Sequence, residues 1–278
     1  MPRLRISAIS YLNTAPLMWD FEKTQVGSQF EISYTIPSDC ARALAEGSAD
    51  IGIIPAAAYT SIPDLLIVPD VAIASKRAVR SILLISKIPI DEICSVALDT
   101  SSMTSVALTK VIFHRWFGGK QHFTSMEPDL ERMLQRNDAA LLIGDPALQV
   151  DRGKYHTYDL AEEWIARTGK PFVFAFWAVR GVALANLDPS LDLTTIFQQS
   201  RTHGLEPGNI HQIANTWAVR LSLPEEDVKS YLLENIYYYF DSPCLEGLNL
   251  FYRYSQMCGA LPAAPEIRFL EVSKPVGP

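Results

Sequence analysis

Short apolar, β-branched runs alternate along this chain with stretches whose apolar residues recur at helical spacing. Residues 3–9 read as a strand, 15–23 as a helix and 30–35 as a second strand. Residues 38–47 then read as a helix with Ala41, Leu44 and Ala45 on one face, and 51–54 as a short strand. Two further apolar runs, 65–73 and 81–86, follow. This is the βαβ rhythm of an α/β chain whose sheet is covered on both faces.

A second run begins near Ser95 and repeats the plan: strand 95–98, helix 104–117, helix 128–136 and strand 139–143. Tyr11-Leu12-Asn13-Thr14 after the first strand corresponds to Ser101-Ser102-Met103-Thr104 after the later one. The stretch Ala49-Asp50-Ile51-Gly52-Ile53-Ile54-Pro55-Ala56 resembles Asp138-Ala139-Ala140-Leu141-Leu142-Ile143-Gly144-Asp145-Pro146-Ala147. Asn13 lies 42 positions before Pro55, and Thr104 lies 42 positions before Pro146. Two matched landmarks imply two lobes of similar topology, with a ligand cleft where loops at the carboxyl ends of strands face each other.

Residues 87–92 have the look of a crossover, and the aromatic run 172–180 of a return. The expected division is therefore residues 1–90 with 178–278 in lobe 1, and 91–177 in lobe 2. The tail from Pro189 to Gly259 reads as mostly helical, with Pro207 and Pro224 near helix starts. Leu245, Leu248, Tyr252 and Ser255 follow helical spacing there. Tyr237-Tyr238-Tyr239-Phe240 reads as packing in preference to a binding stack.

One segment names a ligand chemistry. The apolar strand ending at Leu98 runs into four hydroxyls in five residues, Thr100, Ser101, Ser102 and Thr104, which open onto a helix carrying Leu108, Val111, Ile112 and Trp116. Exposed N–H groups at a helix start, flanked by hydroxyls, form a cradle for a carboxylate or phosphate. Ordinary N-capping accounts for one such residue and remains the alternative.

Composition narrows the partners. The chain has 278 residues, a net charge of −7 and no Lys/Arg block, which disfavours nucleic acid. An acidic ligand must then be held by local donors instead of a globally positive field. Cys40, Cys94, Cys244 and Cys258 form no CxxC pair, and His114, His122, His156, His203 and His211 show no HxxxH or HExxH spacing. Free thiols and the absence of metal and cofactor are the expectation. GxSxG, Walker A and GxGxxG are missing. Ser7, Ser10, Asn13, Thr14 and Pro16 interrupt the N-terminal apolar stretch, so neither a signal peptide nor a membrane span is expected, and a cytoplasmic location is.

Three further positions carry competing readings. Asn13 places an amide at the carboxyl end of the first strand, facing the cleft or closing an Asx-turn ahead of Pro16. Asp145, between a strand and Pro146, serves as cap or hinge, or faces the cleft. Ser81 follows Ser75-Lys76-Arg77-Ala78-Val79-Arg80, whose cations favour an acidic ligand or form a solvated loop.

Taken in order, these segments resemble the menaquinone-pathway chorismate dehydratases. Arg5-Ile6-Ser7 through Ser10-Tyr11-Leu12-Asn13-Thr14-Ala15-Pro16-Leu17 is similar to the family's opening motif. Ala49-Asp50-Ile51-Gly52-Ile53-Ile54-Pro55, Val79-Arg80-Ser81-Ile82 and the stretch 99–108 are similar too. Leu142-Ile143-Gly144-Asp145-Pro146-Ala147-Leu148 and Thr168-Gly169-Lys170-Pro171-Phe172-Val173-Phe174-Ala175-Phe176-Trp177 complete the set. Met103 stands where the family frequently has Arg, and Lys170 where an apolar residue is usual.

The resemblance implies a two-lobed, periplasmic-binding-protein type II-like α/β fold adapted as a cytoplasmic lyase. The implied reaction converts chorismate to 3-[(1-carboxyvinyl)oxy]benzoate and water at the entry of the futalosine route to menaquinone. Asn13 is then the catalytic residue, orienting the leaving hydroxyl while the substrate's enolpyruvyl carboxylate takes the C3 proton. Ser102, Thr104, Ser105 and their backbone would hold one carboxylate, with Ser38 and Ser81 serving the other end. Tyr11, Pro55, Gly144 and Asp145 complete the substrate-binding set. The alternatives are a sister enzyme resembling 1,4-dihydroxy-6-naphthoate synthase and a non-catalytic small-acid binding protein. The sister enzyme normally opens with a Ser-Pro-Cys-Pro-Asn-Asp-like segment, from which Ser10-Tyr11-Leu12-Asn13-Thr14 departs.

Overall fold

The computed structural model describes residues 3–185, 188 and 191–271. Ten strands form two five-stranded sheets. The first contains β1 (Leu4–Ile9), β2 (Phe30–Thr35), β3 (Ile51–Pro55), β4 (Leu65–Ser75) and β10 (Phe172–Arg180) in the order β2-β1-β3-β10-β4. The second contains β5 (Ile82–Ser86), β6 (Ser95–Asp99), β7 (His122–Met126), β8 (Ala139–Ile143) and β9 (His156–Asp159) in the order β7-β6-β8-β5-β9. β1 runs parallel to β2 and β3, as β6 does to β7 and β8. β10 lies antiparallel between β3 and β4, and β5 lies antiparallel between β8 and β9.

Both sheets therefore share one plan, and β1 and β6 are equivalent, as are β3 and β8. The 42-residue echo reports this equivalence: Asn13 and Thr104 follow the first pair, and Pro55 and Pro146 end or follow the second.

The chain changes sheets earlier than the sequence pattern suggests. β5 belongs to the second sheet and β10, from Phe172, to the first. The divisions expected at 90/91 and 177/178 thus miss sheet membership at both crossings. Lys87-Ile88-Pro89 is no crossover: the Lys87 N–H donates to the Asp138 carbonyl within the second sheet's own unit, and Ile90–Glu92 forms a 3-10 turn. The true crossings are 76–81 and 169–171.

Strand β5 shows why the second sheet is apolar on both faces. Ile82 and Leu84 join the main core, while Leu83 and Ile85 join a smaller cluster with Met133, Leu134 and Leu142 on the opposite face. β7 exposes three of its five residues, and β9 buries only Asp159 of its four. As edge strands they carry no apolar alternation to betray them.

Local chemistry shapes the segments that bear the site. Pro16 cannot donate a backbone hydrogen bond, and residues expected to form one helix divide into a 3-10 helix over Leu12–Met18 and α1 (Trp19–Lys23). In α2 (Pro37–Glu46) the buried stripe is Cys40, Ala41 and Leu44; Ala45 faces solvent. α3 (Thr104–Trp116) covers the second sheet, together with α4 (Leu130–Arg136), α5 (Gly144–Leu148) and α6 (Leu160–Thr168).

The C-terminal part, apart from residues 186, 187, 189 and 190, which lie outside the described residues, is mostly helical as expected. It comprises α7 (Gly181–Leu184), α8 (Leu193–Gly204), α9 (Pro207–Leu221), α10 (Glu225–Ser230), a π-helical turn (Tyr231–Asn235) and α11 (Ser242–Met257). α8 braces the 3-10 segment: Ser200 Oγ donates to the Leu17 carbonyl at 2.8 Å and accepts from the Asp20 N–H at 3.0 Å. A Cβ on Gly204 would meet the Pro16 carbonyl oxygen at 2.0 Å, so only glycine permits this approach. The aromatic run packs: Phe240 stacks on Phe176 at 5.8 Å, and Tyr237 bonds the β4 backbone at Ala74 through its own N–H and carbonyl.

Candidate functional site

A cavity opens between the two sheets at the carboxyl ends of β1, β3, β6 and β8. Seven of the ten expected site residues line it: Tyr11, Asn13, Pro55, Ser102, Thr104, Ser105 and Gly144. Its apolar wall, missed in the sequence, comes from Ile9, Ile73, Ile82, Ile143 and Phe174. Each of these ends or enters a strand, and such residues read simply as core until the fold brings them together.

The hydroxyl cluster divides into three roles. Asp99, buried at the end of β6, accepts from the Ser101 N–H at 2.9 Å, from Ser101 Oγ, and from the Ile143 N–H at 3.2 Å. Burial raises its pKa and these bonds oppose the rise, so Asp99 and Ser101 shape the loop. Thr104 Oγ1 donates to the Phe174 carbonyl and accepts from the Ala57 N–H, both at 3.1 Å. With its one proton committed, Thr104 fastens α3 to the first sheet and has no proton for a ligand. Ser102 Oγ accepts from the Ser105 N–H at 3.1 Å, which leaves its own proton available to the cavity.

Ser38, Ser81 and Asp145 lie outside the cavity lining. The Ser38 N–H donates to the Ser101 carbonyl at 3.2 Å, a backbone bridge across the cleft. Ser81 is fully buried, and its hydroxyl accepts from Tyr231 Oη at 2.8 Å. Asp145 Oδ1 accepts from the Leu12 N–H at 3.0 Å. Burial lifts the Asp145 carboxyl to about 6, against the Leu12 bond and the charge of Arg220.

Tyr11 lies over Gly144, whose φ of +65° belongs to the left-handed region. A Cβ there would meet Tyr11 Cε2 at 2.6 Å. Burial raises the Tyr11 hydroxyl pKa, with hydrogen bonding to Ser101 as the opposing influence. Asn13 is half-buried, and its Oδ1 accepts from Thr14 Oγ1 at 3.3 Å.

Among the described residues, no Lys, Arg or His lines the cavity. Lys76 Nζ instead pairs with Asp241 at 2.7 Å, and Arg80, at φ +64°, donates its N–H to Asp159. An adjoining recess that shares Ile9 and Tyr11 with the cavity is lined in part by Trp217 and Arg220. The Arg220 guanidinium sits 4.2 Å from the Trp217 ring centroid. Among the described residues, no cluster of His, Cys, Asp and Glu is arranged to hold a metal ion, and no helix is long and apolar enough to cross a membrane.

A family model described as menaquinone biosynthesis matches residues 4–257. The chain belongs to this menaquinone-biosynthesis family. It is 30% identical over 259 residues to the chorismate dehydratase of Thermus thermophilus, covering 87% of this chain and 91% of the relative. Among solved structures it is similar to the alkanesulfonate-binding protein SsuA of Xanthomonas axonopodis pv. citri, with a TM-score of 0.66 at 16% identity and 94% of each chain covered. The Escherichia coli aliphatic sulphonate-binding protein gives a TM-score of 0.65 at 17% identity, covering all of this chain and 95% of its own. These likenesses show the fold, that of the periplasmic binding proteins.

In this member of the menaquinone-biosynthesis family, the cavity between the sheets is lined by one amide, two serines, Thr104, Tyr11 and an apolar wall. Sequence reasoning missed Tyr231, which stands directly behind the site. Its only signal was membership of a helical tail, and nothing in that pattern distinguishes it from core.

Proposed function

We propose that this protein removes water from chorismate, producing 3-[(1-carboxyvinyl)oxy]benzoate in the cytoplasm, at the entry of the futalosine route. The observation that carries the reading is the position of Asn13. It lies on the first sheet's side of one cavity and faces the Ser102–Ser105 start of α3 on the other, in a chain closely matched in length to a chorismate dehydratase.

The chemistry suits such a wall. Loss of the C3 hydrogen and the C4 hydroxyl aromatises the ring and is redox-neutral, so the driving force resides in the substrate. The protein's task is orientation: the ring must be held so that hydrogen and hydroxyl depart before the side chain rearranges. The flat apolar ring fits against Ile73, Ile82 and Phe174. Ser102 Oγ–H and the Thr104 N–H that opens α3 offer donors to one carboxylate. The enolpyruvyl carboxylate takes the C3 proton, and the Asn13 amide donates to the departing C4 oxygen. Asp145 is the other acid near the site, but it lies outside the lining and already holds Leu12.

Adding catalytic protein to excess chorismate tests the reading through the rise of an aromatic product. Binding that saturates at one equivalent without turnover would indicate a binding module. Conversion of a cyclic futalosine derivative in its place would indicate the sister activity.

A further inference from the structure

Behind the polar end of the cavity lies a buried side chain that the proposed chemistry has not used. Tyr231 is 1% exposed and opens the π-helical turn that follows α10. Such turns are rare and are frequently found at functional sites. This one is clamped to the crossing between the sheets: Asn235 Nδ2 donates to the Ala78 carbonyl at 2.9 Å, and the Asn235 carbonyl accepts from Ser75 Oγ at 2.9 Å. The Tyr231 hydroxyl is thereby held against Ser81, to which it donates at 2.8 Å. Ser81 is followed directly by the lining residue Ile82, and its carbonyl accepts from the Gly144 N–H at 2.8 Å. The Asn13 side chain lies close enough to the same phenol to lower its pKa by hydrogen bonding, against the larger effect of burial. Burial raises the phenol pKa well above the ordinary tyrosine value, so the group remains a neutral donor throughout the working range.

We propose that Tyr231 is a positioning residue for the dehydration, fixing the Asn13 amide through a buried Asn13–Tyr231–Ser81 hydrogen-bond chain. This role rests on the chorismate reading above. A phenolic oxygen both accepts and donates one bond. Donation to Ser81 leaves its acceptor side for one Asn13 amide hydrogen. With Asn13 Oδ1 engaged by Thr14, the second amide hydrogen is aimed by elimination at the cavity, where the leaving hydroxyl is to be met. Removing the phenol oxygen frees the amide to rotate without changing the shape of the wall.

The test compares Tyr231→Phe, Ser81→Ala and the double variant with wild type, using chorismate kinetics, ligand binding and thermal unfolding. The expected result for Tyr231→Phe is a kcat at least roughly tenfold lower, with KM and the dissociation constant for chorismate within about twofold. The double variant is expected to be no slower than the worse single variant, since both cut one chain. An unchanged kcat in Tyr231→Phe overturns the proposal. Multiplicative losses, or a KM that rises in step with loss of thermal stability, overturn it too. Wild-type protein inert towards chorismate overturns the dehydratase reading itself, and this role with it. That outcome is distinct from active wild type beside an equally active Tyr231→Phe.

Discussion

The backbone N–H of Leu12 donates to Asp145 Oδ1 at 3.0 Å, tying the loop after β1 to the helix after β8. The residue after this N–H is Asn13, and the residue before the acceptor is Gly144, against which Tyr11 rests. One bond between sheets thus places both the amide and the ring that bound the cavity.

Burial of the Asp145 carboxyl, which outweighs that bond, makes stability depend on pH. The Asp145 pKa is raised to about 6 in the folded protein, against about 3.9 when unfolded. Between these values the folded state holds more protons than the unfolded one. The contribution is therefore fully present below about pH 4 and lost as pH rises through about 6. Unfolding midpoints should fall across that window in wild type, and Asp145→Asn should flatten this part of the profile. An identical slope in the variant would assign the dependence to another group.

Asn13→Ala should lower kcat at least roughly a hundredfold while leaving chorismate binding within a few-fold, because the amide acts on a charge that develops only in the transition state. Steady-state kinetics beside equilibrium binding separate the two. A large rise in KM with kcat preserved would make Asn13 a simple binding residue.

Thr104 and Ser102 should part company. Thr104→Val deletes two buried bonds that join α3 to the first sheet, and it should cost about 1–3 kcal/mol of unfolding free energy in denaturant titration. Ser102→Ala should leave stability within about 1 kcal/mol and weaken substrate binding several-fold.

Gly144→Ala should be far more damaging than its size suggests. The new Cβ collides with the Tyr11 ring, and the backbone is left-handed. The expected outcome is a folded protein with a lowered melting temperature and chorismate turnover reduced roughly tenfold or more. Tyr11→Ala in the same background should restore part of the stability by removing the collision, without restoring activity.

Arg220 is the cation beside the cavity mouth in a protein of net charge −7. Arg220→Gln should lower kcat/KM for a dianionic substrate several-fold at low salt and leave kcat nearly unchanged. The difference should shrink as ionic strength rises. Equal effects at low and high salt would point to packing on Trp217 instead.

Much of this arrangement was legible in the chain before folding. The spacing of Asn13 and Pro55 repeated in Thr104 and Pro146 because these residues end or follow equivalent strands, and residues 172–179 announced β10 by an unbroken apolar run. What stayed hidden has physical reasons. The crossings were misplaced because β5 and β10 are apolar on both faces, so no pattern reveals which sheet they join. β7 and β9 were invisible because these edge strands carry no apolar alternation. Among candidate site residues, hydroxyl content pointed to the α3 start, which lines the cavity, but could not tell Thr104, spent on backbone groups, from Ser102, which keeps its proton. Tyr231 depends on a π-helical turn, a local departure that average helical spacing does not encode.

The most direct test of the central claim is mass-spectrometric identification of the product formed when purified wild-type protein is added in catalytic amount to chorismate. The account predicts many equivalents of a product lighter than chorismate by one water and identical to authentic 3-[(1-carboxyvinyl)oxy]benzoate. Chorismate recovered unchanged, or converted only at the rate seen without protein, would contradict it.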